Sequence, residues 1–329
     1  MHILSLAKFR PASAFLIVLA SLAADPAPAA EPFPARPMRM LVGYPPGGPT
    51  DIVARITAEQ ITEAMGQQMI VDNRPGAGGT ISATILSQAA ADGYTLGLGA
   101  NGEMAIAPNL RKNMPYSPLQ DFAPISRVGA GHLALVVPAG LPAKSVGELI
   151  AAAKAKPGAL NFASSGAGST AHLAGELFKA MAKIDIVHVP YKGAAPALSD
   201  VIGGQVQMLI TGYSGVVPHA KAGRLRVLAV TGDKRLKAAP ELPTMAETVP
   251  GYDVTSWYGI FAPRGTPRAI IDRYQRVIAA MVEMPAVHAR MVALGIEPEG
   301  SSSQALADGM KQEIAKWGKV VALAGLQKQ

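Results

Sequence analysis

The sequence predicts an α/β fold. Short apolar runs alternate with longer amphipathic stretches from Arg39 onward, and three times a strand candidate enters a glycine-rich turn that opens into a helix candidate. The length, 329 residues with 49% hydrophobic positions, is enough for about two cores. In chain order the strand candidates are 39–43, 69–72, 94–98, 133–137, 160–163, 186–189, 206–210, 225–230 and 259–262, each a short apolar or β-branched run bounded by turn residues. The clearest helix candidate runs from Pro49 to Met65. Ile52, Val53, Ile56, Ile61 and Ala64 fall near helical spacing, Pro49 suits the first helical position, and Gly66 supplies the stop. Further helices are expected over 81–91, 145–155, 171–182, 195–202, 267–282 and 304–322.

Residues 1–30 stand apart from this pattern. Lys8 and Arg10 precede an apolar run from Ala12 to Ala24, broken only by Ser13 and Ser21, and an Ala/Pro stretch follows. That order is the grammar of a secretory signal peptide, with small residues at Leu22-Ala23-Ala24 and Ala27-Pro28-Ala29 marking cleavage near residues 24–30. The run is shorter than the roughly 20 residues of a spanning helix. The mature protein is therefore expected outside the cytoplasmic membrane. Its formal charge falls from +7 to +6 with the loss of Lys8, Arg10 and Asp25. The absence of cysteine excludes disulfides, thiolate metal sites, a cysteine nucleophile and a lipidated cysteine anchor. Single, scattered basic residues without interleaved aromatics argue against nucleic acid as a partner.

The three turns are Pro46-Gly47-Gly48-Pro49-Thr50-Asp51, Pro75-Gly76-Ala77-Gly78-Gly79-Thr80, and Ser164-Ser165-Gly166-Ala167-Gly168-Ser169-Thr170. Each presents unhindered backbone N–H groups at a helix N-terminus, where unpaired donors and partial positive charge favour an anion. One such turn is a compact connection as readily as a site. Three together point to an oxyanion-binding cleft at the carboxyl ends of strands. Other motifs fail on context. Gly97-Leu98-Gly99-Ala100-Asn101-Gly102 has dinucleotide-turn spacing, but Pro108, Pro115 and Pro118 crowd the segment behind it. Gly212-Tyr213-Ser214-Gly215 has Val216 where a nucleophile elbow needs glycine. His172 and Glu176 lie one helical turn apart with no third ligand in sequence reach, so His172 reads as a cap or groove residue and no metal or cofactor is expected.

The order and spacing of several strings resemble the solute-binding receptors of tripartite tricarboxylate transporters, the Bug-type receptors. They are Tyr44-Pro45-Pro46-Gly47-Gly48-Pro49-Thr50-Asp51, Asn73-Arg74-Pro75-Gly76-Ala77-Gly78-Gly79, Asp92-Gly93-Tyr94-Thr95-Leu96, Ala163-Ser164-Ser165-Gly166-Ala167-Gly168-Ser169, and His188-Val189-Pro190-Tyr191-Lys192-Gly193. The resemblance implies a two-lobed periplasmic binding protein of type II-like architecture, with a double chain crossover and a ligand cleft between two α/β lobes. It implies lobe 1 over 31–130 plus 255–329 and lobe 2 over 131–254. It further implies a monomer that delivers a small carboxylate to inner-membrane transporter subunits, or a receptor that reports to a sensor kinase. Around the carboxylate the implied set is Tyr44, Gly47, Gly48, Ala77, Gly78, Gly79 and Thr80 from one lobe and Ser165, Gly166, Ser169 and Thr170 from the other. Asp51, Asn101, Tyr191 and Thr211 complete it, with Asp51 expected to cap its own helix and turn.

Three departures from the family pattern bear on the ligand. Thr211 stands where many relatives carry an acid, which implies a ligand without an amino group, such as an aliphatic or aromatic dicarboxylate. Ser82 replaces a common glycine and is expected to narrow the approach to the second turn. Gly43 replaces a common proline and is expected to loosen the entry to the first loop. An exported hydrolase using the same cleft would need a paired acid and base, a nucleophile motif or a metal set, and the sequence offers none. The reading is of a receptor, not an enzyme.

Overall fold

A computed structural model describes residue 2, residues 33–326 and residue 328. The expected signal peptide lies outside the described residues. From Phe33 onward the chain reads β1 (Met38–Val42), α1 (Pro49–Met65), β2 (Met69–Asn73), a 3₁₀ turn (Ala77–Gly79), α2 (Thr80–Ser87), β3 (Thr95–Ala100), a π-helical turn (Gly102–Ile106), α3 (Ala107–Leu110) and β4 (Phe122–Pro138). Then come α4 (Val146–Ala155), β5 (Asn161–Ser164), α5 (Thr170–Ala182), β6 (Val187–Pro190), α6 (Ala194–Ile202), β7 (Met208–Gly212), α7 (Tyr213–Lys221) and β8 (Leu225–Val230). The chain closes with β9 (Thr255–Pro263), α8 (Arg268–Glu283), α9 (Pro285–Ala293), β10 (Ile296–Pro298) and α10 (Ser303–Leu323).

Two sheets share one long strand. In the first, β1 pairs in parallel with β2 and β3, β3 pairs antiparallel with β9, and β9 pairs antiparallel with β4. In the second, β4 pairs antiparallel with β7 and β8, and β5 pairs in parallel with β6 and β7. The change of partner occurs between neighbours, because His132 is the last residue opposite β9 and Leu133 the first opposite β7. The chain crosses back between β8 and β9, and Thr231 ties the two crossings together. Its hydroxyl donates to Val254 O at 2.6 Å and accepts from Leu133 N at 3.0 Å, while Val254 N donates to Thr231 O at 2.9 Å.

Each sheet has its own core. Met40, Val42, Ile56, Leu98, Ile260 and Tyr274 pack on the first, and Leu135, Phe162, Phe178, Ile210 and Tyr252 on the second. Burying side chains of this size contributes about 1.5–3 kcal/mol each. Helix α10 serves both ends of the molecule: Leu306 and Met310 pack with Leu41 and Phe261, whereas Trp317, Val320 and Val321 join the core under the second sheet.

Helix α1 matches its expected limits, with Pro49 in the first turn and Gly66 left-handed at φ 73° as the stop. Strand β4 begins eleven residues before the expected Leu133, at Phe122. Ser126, Arg127, Gly129, Gly131 and His132 hide it from an apolar pattern, yet β9 on one side and β10 on the other supply its hydrogen bonds. Helices α7 and α9 and strand β10 are further additions to the expected elements. The expectation for Gly43 is corrected. A side chain there would run into Gly79 Cα at 2.6 Å and Gly79 O at 3.0 Å, so glycine lets β1's end lie against the second turn and packs this region tightly.

Candidate functional site

Helix α1 enters the site through a turn that its own side chain builds. Gly47 is left-handed at φ 81°, which glycine alone adopts without strain, and its N–H donates to Asp51 Oδ2 at 2.9 Å. The same carboxylate accepts from Arg55 Nε at 2.8 Å and Asn73 Nδ2 at 3.0 Å. Burial alone would raise the Asp51 carboxyl pKa. The bonds from Arg55, Gly47 and Asn73 outweigh it and hold the pKa below the ordinary carboxylate value. Asp51 therefore spends both oxygens on the turn. Gly48 is the N-cap at φ −83°, Pro49 brings no N–H, and the N–H groups of Thr50 and Asp51 have no intrahelical acceptor.

The second and third turns meet each other. Ala77, Gly78 and Gly79 all carry positive φ, and Thr80 Oγ1 donates to Ala77 O at 2.9 Å. A Cβ on Gly78 would approach Ala167 O at 3.0 Å, so the two turns lie backbone to backbone. In the third turn Ser169 accepts from His172 N, and Gly168 N donates to His172 Nδ1, both at 3.2 Å, which makes His172 a cap. Burial pushes the His172 pKa down to about 4 and that of His188, stacked on it at 4.0 Å, down to about 3; both rings are neutral at pH 7. Ser164 Oγ lies 2.7 Å from His188 Nε2, fixing the floor of the turn.

Between the two sheets lies a cavity of about 520 Å³, its open mouth included. Its wall takes Tyr44, Gly48, Pro49 and Thr50 from the α1 entry, and Ser165, Thr170 and Ala171 from the α5 entry. Ala194 opens α6, and Thr211 with Gly212 leads into α7. Strands β4 and β9 complete it with Leu133, Ser256 and Tyr258. The first turns of α1, α5, α6 and α7 thus border one space whose lining carries no charged side chain. Unpaired N–H groups and partial positive charge at four helix ends suit an anion without a counter-ion. The hydroxyls of Thr50, Ser165, Thr170 and Thr211 add donors, whereas that of Tyr44 already donates to Gly78 O at 3.1 Å. Burial, with the Glu103 charge second, raises the Tyr44 pKa well above its ordinary value, and burial pushes that of Tyr258 up to about 12. Behind Tyr44, Glu103 accepts from Ala100 N at 2.8 Å, and burial lifts its pKa to about 8.

Of the residues expected from sequence, Tyr44, Gly48, Ser165, Thr170 and Thr211 line this cavity. Ala77, Gly78, Gly166 and Tyr191 line a second one that shares Tyr44, Pro45 and Ser165 with it. Gly47 borders a third, beside α6. Gly79, Thr80 and Ser169 shape their turns without lining any of the three. Asn101 is occupied elsewhere: its amide accepts from Trp257 N at 2.9 Å and donates to Thr255 O at 3.2 Å and Glu313 Oε2 at 3.1 Å. Ser82 is buried within α2. The α6 and α7 entries were not anticipated, although Gly193 and Gly212 mark them. A Cβ on either would strike Pro45 or Pro49, so both glycines admit the first turn.

The model of the tripartite tricarboxylate transporter family receptor matches residues 53–326. The chain belongs to that family. Among curated relatives of this tripartite tricarboxylate receptor, the protein BugT of Bordetella pertussis is 38% identical over 298 residues, covering 90% of this chain and 91% of its own. Two solved structures share the two-lobed periplasmic binding protein fold. R. palustris Rpa4515 with adipate aligns at TM-score 0.88 and 38% identity, covering 90% of this chain and all of its own. MatC (Rpa3494) from Rhodopseudomonas palustris with bound malate aligns at TM-score 0.83 and 32% identity, covering 88% and 100%. No described helix of the receptor is long and apolar enough to cross a membrane.

Proposed function

We propose that this receptor works in the periplasm, captures a small dicarboxylate that has no amino group, and hands it to the membrane subunits of a tripartite tricarboxylate-type transporter. The observation that carries this reading is the uncharged cavity bordered by the first turns of α1, α5, α6 and α7. Such a wall satisfies a carboxylate through backbone donors and offers nothing that pairs with an ammonium group, because Thr211 contributes a hydroxyl and no carboxylate. The adipate and malate bound in the two aligned structures support the ligand class. The signal-peptide pattern of residues 1–30 supports export.

The lobes divide, on this reading, at the partner change in β4 and at the return into β9, giving 31–130 plus 255–329 and 131–254, with α10 reaching across both. Closure is a hinge rotation about the Thr231 tie, which joins the two crossings. No acid–base pair or nucleophile is required for such a cycle.

The test is a thermal-shift and calorimetric screen of mono-, di- and tricarboxylates alongside aspartate and glutamate. A ligand at about 100 times its Kd should stabilise the protein by about 2.7 kcal/mol without being consumed. A dicarboxylate giving that shift supports the reading. No shift with any carboxylate overturns it, and tight binding of aspartate or glutamate overturns the argument from Thr211.

A further inference from the structure

We propose that Arg111 and Lys192, which line the cavity beside the uncharged one, read the second carboxylate of the ligand, so that the receptor selects a diacid by its reach from the uncharged floor to this cationic rim. The inference rests on the carboxylate reading above and assigns its second half.

The second cavity, about 710 Å³ with its mouth included, shares Tyr44, Pro45 and Ser165 with the wall of the first. Its charged lining consists of Arg111 and Lys192, with no acidic side chain. Arg111 follows α3, and its Nη2 donates to Ala77 O at 3.4 Å, a long bond that leaves most of the guanidinium's N–H groups available. Lys192 sits in the turn between β6 and α6 beside Tyr191. Among the described residues neither Arg111 nor Lys192 takes part in an ion pair. The Tyr191 hydroxyl is already committed to Asp200 at 2.6 Å, and the two cations are the charged groups that recognise a carboxylate here.

The alternative is the third cavity, which shares Gly48, Pro49, Ala194 and Thr211 with the first. Leu198, Ile202 and Ala195 make most of its far wall, with His219 at its edge. Burial, and secondarily Arg224, lowers the His219 pKa, so the ring is neutral at pH 7 and offers no charge to an anion. A carboxylate placed there would lose water without a charged partner, whereas one between Arg111 and Lys192 gains charge-assisted bonds while still touching solvent. Chemistry therefore directs the polar end of the ligand to the mouth.

The experiment is calorimetry on the exported protein with the straight-chain diacids succinate through suberate and the monomethyl ester of each. The best diacid should bind about tenfold more tightly than its half-ester. In Arg111→Gln and Lys192→Gln that ratio should fall toward one, while Lys234→Gln, remote from the cleft, should keep it. A half-ester binding as tightly as its diacid overturns the inference and leaves the carboxylate reading standing. The inference falls in the same way if both variants keep the parent ratio, or if Lys234→Gln lowers it equally. Failure of every diacid and half-ester to bind would overturn the selection by reach proposed here, and failure of the whole carboxylate screen with it would overturn both.

Discussion

Gly48→Val separates the cavity floor from the fold. The residue has φ −83°, so a side chain meets no left-handed strain, and a Cβ would sit 3.7 Å from Pro45 O and 3.9 Å from Ala194 Cβ, ordinary contacts. The branched methyls then have the cavity to occupy, where they screen the N–H groups of Gly48 and Thr50. Each charge-assisted bond to a carboxylate is worth about 1.5–3 kcal/mol, so losing two costs at least about 3 kcal/mol, a Kd roughly 150-fold weaker. Replacing glycine by valine at an N-cap costs well under about 2 kcal/mol of stability, a drop of a few degrees in Tm at most. Gly47→Ala is the converse. At φ 81° it strains the turn by about 1–2 kcal/mol, yet its Cβ meets nothing within 4 Å and its N–H already serves Asp51. Calorimetry with the best diacid, paired with ligand-free melting by circular dichroism, reads both variants. If Gly48→Val kept Kd within threefold at an unchanged Tm, the carboxylate would not lie at the α1 entry and the reasoning would fail.

Three further expectations follow from the groups around the floor. Glu103, lifted to about 8 by burial from an ordinary 4.5, keeps its proton in the folded state where the unfolded chain loses it; stability should decline as pH rises through that window, and Glu103→Gln should flatten the decline in a Tm-versus-pH series. Asp51 works in the opposite sense. Its lowered pKa stabilises the fold above the unfolded value of about 3.9 and is lost as pH falls below it, so Asp51→Asn should melt lower at pH 7 and show a shallower acid limb. Thr211→Asp would place a carboxylate facing the ligand's own; at about 5 Å and an effective dielectric near 20 the repulsion is about 3 kcal/mol, and calorimetry should show diacid affinity falling roughly 150-fold at pH 7.

What the sequence discloses is what local chemistry controls. Helix α1 is legible because proline at its start, glycine at its end and a helical apolar period agree, and the three turns are legible because positive φ demands glycine. Long-range pairing hides the rest. Strand β4 carries Arg127 and His132 in its polar half, and only β9 and β10, brought from more than a hundred residues away, make that half a strand. Helix α7 contains Pro218 and Gly215, both helix breakers by local propensity, although its first turn helps form the cavity. Ser256 and Tyr258 reach the wall from β9 with no local signal of their direction. Asn101 illustrates the reverse: the family resemblance implies a ligand group, but the amide is the latch that bonds Trp257 N and Thr255 O.

On the proposed reading, the uncharged floor and the charged rim divide the work of recognition. A fixed arginine under the carboxylate would have to be desolvated with it, and the pair would repay that cost only in near-ideal geometry. Helix N-terminal N–H groups are already held by their helices, so they present positive potential without side-chain entropy to lose. Gly48 and Thr50 stand on the first sheet's side, and Thr170, Ala194 and Thr211 on the second. On the proposed reading, a carboxylate at the floor would bond to both sets and would favour the closed arrangement by its differential contacts with the two lobes. On the proposed hinge about the Thr231 tie, rotation would separate the two sets of floor donors together, so release of the floor carboxylate would need no buried side-chain ion pair to be broken.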